Sequence, residues 1–132
     1  MKLHPTTTDG RLTVTGHAAG WIDIAGRRHR RSLLIMPDRV DDDWGPEPAE
    51  ALDAAHLADL ANRAGVTPGR ILLLGTGGRQ RFPVAAWLQP LIGRGIGIEI
   101  MDTGAACRTY NLLVAEGRDI CAALVVEATA SA

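Results

Sequence analysis

The sequence lacks the features that mark a secreted, membrane-spanning or metal-binding protein. Its first residues, MKLHPTTTDG, have neither the apolar core of a secretory signal nor the Arg- and Ser-rich pattern of a transit peptide. No stretch approaches the roughly 20 apolar residues that a membrane-spanning helix needs. Cys107 and Cys121 stand alone, without the CxxC or histidine spacing of a metal site or a disulfide framework. We therefore expect a cytoplasmic protein with two reduced thiols, no metal and no cofactor.

An excess of charge of either sign is also missing. Fourteen Lys and Arg residues against fifteen Asp and Glu residues give a formal net charge of -1, so no global field draws nucleic acid or anionic lipid to the chain. The one strongly basic run is RRHRR at residues 27–31. A strand would send its alternate side chains to opposite faces, and only one Phe, one Tyr and three Trp are present to stack on bases. We therefore expect a solvated hairpin or an interaction surface here rather than a nucleic-acid site.

What the chain does have is enough apolar material for one compact domain over residues 1–132, of which 46% are hydrophobic. Short β-rich pieces at 12–15, 20–24 and 27–35 alternate with glycine-bearing turns and predict an N-terminal β-meander or hairpin. The segment DDDWGPEP that follows predicts a loop. Its Trp44 is either an exposed anchor for a partner protein or a plug for the open end of the sheet.

The remainder of the sequence alternates helix and strand signals. They predict, in order, a helix from Pro48 to Gly65, a strand at 70–75, a helix opened by Pro83 that Pro90 shortens or kinks, a strand at 96–101, a helix from Asp102 or Thr103 to Gly117 and a strand at 119–128. This order predicts an α/β fold with a mixed β-sheet flanked by helices, in which strands 71–74 and 97–101 run parallel. Ligands in such sheets bind beyond the carboxyl ends of the strands. The segments GTGGRQR and DTGAACR are therefore expected on one rim.

The first candidate binding segment is LLLGTGGRQRF. Its glycines would let the backbone approach a ligand, and exposed amides there would form an anion-binding nest, with the arginines as further donors. The motif is neither a dinucleotide fingerprint, because Gln80 replaces the third glycine, nor a P-loop, because no Gly-Lys-Ser/Thr follows. A tight turn with solvated arginines is an equal alternative. The candidate residues of this segment are Gly75, Thr76, Gly77, Gly78, Arg79 and Arg81.

The second candidate segment is the corner that contains Cys107. We expect Cys107 in the first turn of its helix, where the positive end of the helix dipole and Arg108 favour a thiolate. A cysteine in an Ala-rich turn is, however, often a small buried apolar residue, and we favour packing over nucleophilic catalysis. Asp102, Thr103, Arg108 and Asn111 complete the corner, either as ligands of a carboxylate or phosphate or, as we prefer for Asp102, as a plain helix cap.

Three stretches carry a resemblance to a known family: LLIMPD, LLLGTGGRQRFP and GIGIEIMDTGAACRTYNLLVAEGRDICAAL. They resemble the conserved uncharacterised domain family that includes mitochondrial respiratory complex I assembly factor 3 and bacterial and archaeal hypothetical proteins. The most specific part is Met101-Asp102-Thr103, followed by Ala106-Cys107-Arg108-Thr109-Tyr110-Asn111 and by Glu116-Gly117-Arg118. The resemblance implies a single α/β domain with a mixed sheet and a β-hairpin extension. It also implies a role in the assembly of a membrane complex rather than a reaction.

Two hypotheses about function follow. The first is a non-enzymatic binding or assembly protein, for which protein partners, including respiratory-complex subunits, are the expected ligands. Because no mitochondrial presequence is present, we expect a bacterial member of the family. The second is a small-anion-binding protein or an enzyme that uses the Gly75–Gly78 loop and the Cys107 corner.

Overall fold

The computed structural model describes residues 10–46, 49–65 and 68–127. Within these residues short strands and helices alternate along the chain. The strands and helices are β1 Val14–Ala18, β2 Trp21–Ile24, β3 Arg27–His29, β4 Leu33–Met36, β5 Arg39–Asp41, α1 Ala54–Ala64, β6 Ile71–Gly75, α2 Gln89–Ile92, β7 Gly97–Met101, α3 Thr103–Ala115 and β8 Ile120–Leu124. Single 3-10 turns at Ala49–Ala51 and Ala85–Leu88 precede α1 and α2.

The strands form two sheets. Strands β1, β2 and β3 make an antiparallel three-stranded sheet, and the other five form a mixed sheet in the order β5-β4-β8-β6-β7. Strand β6 is parallel to both β7 and β8, whereas β4 is antiparallel to β8 and β5. The mixed sheet, the N-terminal antiparallel strands and the parallel pairing of 71–74 with 97–101 are thus confirmed.

The third strand of the predicted meander is wrong in its extent. Residues 27–35 divide into β3, in the small sheet, and β4, in the large sheet, and β5 follows in a segment for which no strand was predicted. Ser32 fixes the passage between the sheets. Its hydroxyl donates to the carbonyl of Pro46 and accepts the N–H of Val126 at 3.0 Å, so the chain is held at the end of β8 before β4 begins.

Helix α1 also begins later than predicted. Pro48, the predicted start, lies outside the described residues, and α1 begins at Ala54 after the N-cap Asp53. The carboxylate of Asp53 accepts the N–H of His56, and the imidazole of His56 accepts the N–H of Asp53, both at 3.1 Å. This reciprocal capping box stops the helix from extending toward the N-terminus. The predicted end at Gly65 is confirmed, with a φ of 78° that suits glycine.

The large sheet is buried on both faces. Helices α1 and α2 cover the face that carries Leu72, Leu74 and Val125, while α3 and the small sheet cover the face that carries Leu73 and Leu124. This burial explains the continuous apolar runs of β6 and β8. Helix α2 has a single turn with Pro90 in it, as the position of that proline predicted.

The interpretation of Trp44 as an exposed anchor is wrong. Its side chain is 1% exposed and packs in the core beside α1, and its indole N–H donates to the carbonyl of His56 at 3.1 Å. A buried indole needs such an acceptor, and the first turn of α1 supplies it. Trp44 therefore closes the apolar core.

Candidate functional site

The carboxyl ends of three neighbouring strands form one rim. Gly75, at the end of β6, is level with Met101 at the end of β7 and with Leu124 at the end of β8. The glycine loop, the start of α3 and the segment 125–127 follow directly from these ends. The structure therefore brings together GTGGRQR and DTGAACR, as the parallel topology predicted.

The backbone amides of residues 76–78 in the glycine loop all donate to acceptors of the protein itself. The N–H of Thr76 donates to the carbonyl of Met101 at 2.9 Å, that of Gly77 to the hydroxyl of Thr103 at 2.8 Å, and that of Gly78 to the carboxylate of Glu127 at 2.9 Å. An anion would have to displace these acceptors before it reached a nest. The expectation of exposed amides is thus corrected, because residues far along the chain supply their acceptors.

Thr103 is the centre of this network. Its hydroxyl accepts from Gly77 and donates to the carbonyl of Val125 at 2.8 Å, and its own N–H donates to the carbonyl of Gly77 at 2.9 Å. The loop after β6, the start of α3 and the segment after β8 are therefore joined by one side chain. We call residues 75–78 with Thr103 and Glu127 the glycine clamp.

Two glycines of the clamp are required by close approach. Gly77 has a φ of +92°, and a Cβ placed on it would lie 2.5 Å from the carboxylate of Glu127. A Cβ on Gly75 would lie 2.9 Å from the backbone of Thr103. Glycine at these positions is thus explained by packing within the rim.

Thr76 and the arginines that follow have separate roles. The buried hydroxyl of Thr76 donates to the carbonyl of Arg79 at 2.8 Å and accepts the N–H of Arg81 at 3.0 Å, which closes the loop on itself. Arg79 points to solvent, and it has no ion pair among the described residues. Arg81 turns inward instead, toward Glu50 and Glu127.

Cys107 lies deeper in α3 than predicted. Because α3 begins at Thr103 after the N-cap Asp102, Cys107 falls in the second turn and not in the first. Its thiol is completely buried, and this burial raises the pKa of Cys107 to about 12 despite the nearby charge of Arg108. The thiol is therefore protonated at neutral pH and lacks the features of a nucleophile.

The other corner residues hold structure together. The carboxylate of Asp102 accepts the N–H of Ala105 at 2.9 Å, as expected of a helix cap. The side-chain amide of Asn111 pairs with Val14, accepting its N–H at 2.8 Å and donating to its carbonyl at 2.7 Å. Asn111 thus attaches β1 to α3. Arg108 is exposed at the surface, with no carboxylate partner in the described part of the chain.

A groove beside the glycine clamp was missed by the sequence analysis. Its volume is about 240 Å³. The lining residues come from three segments of the chain: Ala49, Glu50, Leu52, Thr76, Arg81, Phe82, Pro83, Val84, Trp87 and Val125. The side chain of Phe82 is 72% exposed and that of Val84 is 54% exposed. We call this feature the Phe82 groove, and its sequence signal is the apolar triplet Phe-Pro-Val directly after a polar loop.

Two carboxylates lie near the guanidinium of Arg81: Glu50 lines the Phe82 groove, and Glu127 lies beside it. Arg81 pairs with Glu50 at 3.2 Å and lies 3.8 Å from Glu127, so one guanidinium faces two carboxylates. The Nε atom of Arg81 is buried without a hydrogen-bond partner among the described residues. Glu50, whose side chain is 66% exposed, presents its charge at the mouth of the groove.

Metal-binding clusters and membrane-spanning helices are both missing from the described residues. No cluster of three or more His, Cys, Asp or Glu residues in the described ranges has the arrangement needed to hold a metal ion. The helices described by the structure are all too short or too polar to cross a bilayer.

Comparisons with known proteins give a consistent family. The model of the family described as protein of unknown function (DUF498/DUF598) matches residues 14–125. The 13 kDa major membrane protein of Francisella tularensis is 32% identical over 88 residues, which are 67% of this chain and 63% of that protein. NADH dehydrogenase (ubiquinone) 1 alpha subcomplex assembly factor 3 of Danio rerio is 46% identical over 55 residues, which are 42% of this chain and 32% of that protein. The chain thus spans less than two thirds of either relative.

A solved structure supports the same fold. The solution structure of a Mth938-like domain from Bordetella pertussis superposes with a TM-score of 0.78 at 31% identity, covering 99% of this chain and 96% of that one. Both the large mixed sheet and the N-terminal antiparallel strands therefore belong to a known α/β architecture.

Proposed function

The chain belongs to the DUF498/DUF598 family of proteins of unknown function, and from that premise we propose that it is a non-enzymatic protein-binding member with an assembly-factor-like role. The observation that carries the proposal is the Phe82 groove. A phenylalanine that is 72% exposed beside a largely apolar cavity is the kind of surface that binds a partner protein's side chain.

The charges of the groove suggest the chemistry of the partner. Because the carboxylate of Glu50 is exposed at the mouth of the groove, the groove favours an apolar or aromatic anchor followed by a Lys or Arg that reaches Glu50. A subunit of a respiratory complex is the finer form of this proposal, since the relative from Danio rerio is named as an assembly factor of NADH dehydrogenase. A cytoplasmic location is part of the proposal. Cell fractionation tests it against a membrane location, which the name of the Francisella relative suggests.

The second hypothesis, a small-anion binder or an enzyme, has less support. The amides of the glycine clamp already have acceptors, and the Cys107 thiol is buried with its pKa raised to about 12. The arginines that remain exposed on the rim, Arg79 and Arg108, do not line the Phe82 groove.

Capture with matched variants tests the proposal. Tagged wild-type protein, Phe82→Ser and Leu112→Ser are each used to capture partners from a lysate of the source organism. Leu112 is 59% exposed on α3 and does not line the groove, so it controls for the loss of an exposed apolar side chain. We expect partners that wild type and Leu112→Ser retain and Phe82→Ser loses. Equal capture by all three folded proteins would contradict the role of the groove.

A further inference from the structure

The basic run of the sequence lines a second groove, which shares no residue with the Phe82 groove. A cavity of about 370 Å³ is bounded by residues 27–31 together with Asp42 and Asp43. A second cavity of about 240 Å³ continues it between Ile24 and Val40, and the two share Arg27, His29 and Asp42. We call this continuous feature the arginine groove. It separates β3 from β5 and the turn that follows β5.

The positive charge of the arginine groove is only partly neutralised. Arg28 binds Asp23 through two hydrogen bonds of 2.8 and 3.0 Å, and Arg27 lies 3.8 Å from Asp42. Asp43, the other acidic residue of the lining, is held by Arg63 at 2.5 Å.

Arg30 and Arg31 supply the charge that is left over. Both are exposed, and neither pairs with a carboxylate in residues 10–46, 49–65 or 68–127. His29 adds none at neutral pH, because its burial and the charge of Arg27 lower its pKa. Two guanidinium groups are thus free to bind external oxyanions.

The walls of the arginine groove are strand edges. Strand β3 is the last strand of the small sheet, and β5 is the last strand of the large sheet. An edge strand presents unpaired N–H and C=O groups, which an extended polypeptide can pair with by adding a strand. Among the described residues, no Phe, Tyr or Trp lines either cavity, and the imidazole of His29, which lines both, is buried, so the groove offers bases no exposed ring to stack on. An extended peptide therefore matches this groove better than a nucleic acid does.

We propose that the arginine groove binds an extended, acidic segment of a partner protein, with carboxylates on Arg30 and Arg31 and the main chain along the edge of β3 or β5. This surface is separate from the Phe82 groove. A negative result for the arginine groove would therefore leave the proposal for the Phe82 groove intact, because different substitutions test the two surfaces.

A short peptide of alternating Glu and Ser is the probe, with a peptide of alternating Lys and Ser as its charge control. Binding is followed by amide chemical shifts of the labelled protein at low salt. The Arg30→Gln/Arg31→Gln variant removes two positive charges, and Arg118→Glu, at an exposed site outside the groove, changes the net charge by the same amount.

We expect the Glu peptide to shift the amides of residues 27–31 and of the turn after β5. We expect about tenfold weaker binding to the double variant, little change for Arg118→Glu, and weakening by added salt. Unchanged binding to the folded double variant, shifts confined to other surfaces, or no binding by wild type would overturn the proposal. So would an oligonucleotide that displaces the Glu peptide from the same amides, since it would mark a phosphate site.

Discussion

The glycine clamp and the Phe82 groove lie within a few residues of each other in the sequence. They differ in which hydrogen-bonding and apolar groups they leave without a partner inside the protein. In the clamp, the amides of residues 76–78 all donate to internal acceptors, and glycine is needed at Gly75 by the close approach of Thr103 and at Gly77 by its positive φ. In the groove, Phe82 is exposed and the Nε atom of Arg81 has no hydrogen-bond partner among the described residues. The segment with a ligand-like motif thus directs its amides to acceptors of the protein itself, and its inconspicuous neighbour is the surface for which we propose binding.

A glycine-rich loop after a strand therefore indicates that the backbone lies close to another group. It does not indicate whether that group is a ligand or another part of the protein. A nest requires free N–H groups, and these are free only if no other part of the chain supplies acceptors. Here α3 and the segment after β8 supply them. Substitutions that act on only the glycine clamp or only the Phe82 groove test this difference.

The largest expected effect is on the clamp itself. Gly77→Val should lower the free energy of unfolding by about 3 kcal/mol, because valine is strained at positive φ and its Cβ would collide with Glu127. Arg79→Ala, two residues away and exposed, should change it by less than about 0.5 kcal/mol. Urea unfolding of both variants measures this. Equal midpoints would show that the loop is not a packed clamp.

The next effect concerns the side chain at the centre of the clamp. Thr103→Val keeps the shape of the residue but removes the acceptor of Gly77 and the donor to Val125, so it should destabilise by about 2 kcal/mol. Thr109→Val, on the same helix and without a side-chain hydrogen bond in the described structure, is the matched control and should lie within about 0.5 kcal/mol of wild type. Similar denaturation curves for both variants would argue against the network.

A pH-dependent effect, small just above pH 9, should appear in alkaline solution. Burial raises the pKa of Cys107 from its ordinary value of 9.0 to about 12, so the folded state keeps a proton that the unfolded state loses. Stability is therefore complete below pH 9 and declines as pH rises toward 12, by up to about 1.4 kcal/mol per pH unit for this thiol. Cys107→Ala should show a shallower decline in the same window. An identical slope would mean that the thiol ionises in the folded protein.

The smallest effect on stability is expected in the Phe82 groove. Phe82→Ser and Leu112→Ser each remove an exposed apolar side chain and should shift the free energy of unfolding by less than about 0.5 kcal/mol. Thermal unfolding of the two variants checks this. A large destabilisation of Phe82→Ser alone would show that the groove is part of the core and would remove the reason to regard it as a binding surface.

The architecture could be predicted from the sequence because it depends on local patterns of residues. Apolar runs such as RILLLG and IGIEIM predicted the parallel strands, and their topology predicted the shared rim. The Asp102 cap was predictable for the same reason, since its partner Ala105 is three residues away.

The candidate site was harder to predict because its contacts join residues that are far apart in the sequence. Glu127, which accepts the N–H of Gly78, lies 49 residues along the chain, and Glu50 reaches the groove from another segment. The break between β3 and β4 depends on Ser32 meeting Pro46 and Val126. No local pattern encodes such contacts, so the occupied amides and the Phe82 groove emerged only from the structure.

The central claim, that the glycine clamp is closed to ligands, is tested most directly by following the amide signals of Thr76, Gly77 and Gly78 while sodium phosphate is added. The account predicts that the buried amides of Thr76 and Gly77 exchange slowly with solvent and that all three keep their positions throughout the titration, because each already donates to an internal acceptor. Fast exchange of Gly77, with saturable shifts of Gly77 and Gly78 on adding phosphate, would contradict the account and restore the loop as an anion-binding nest.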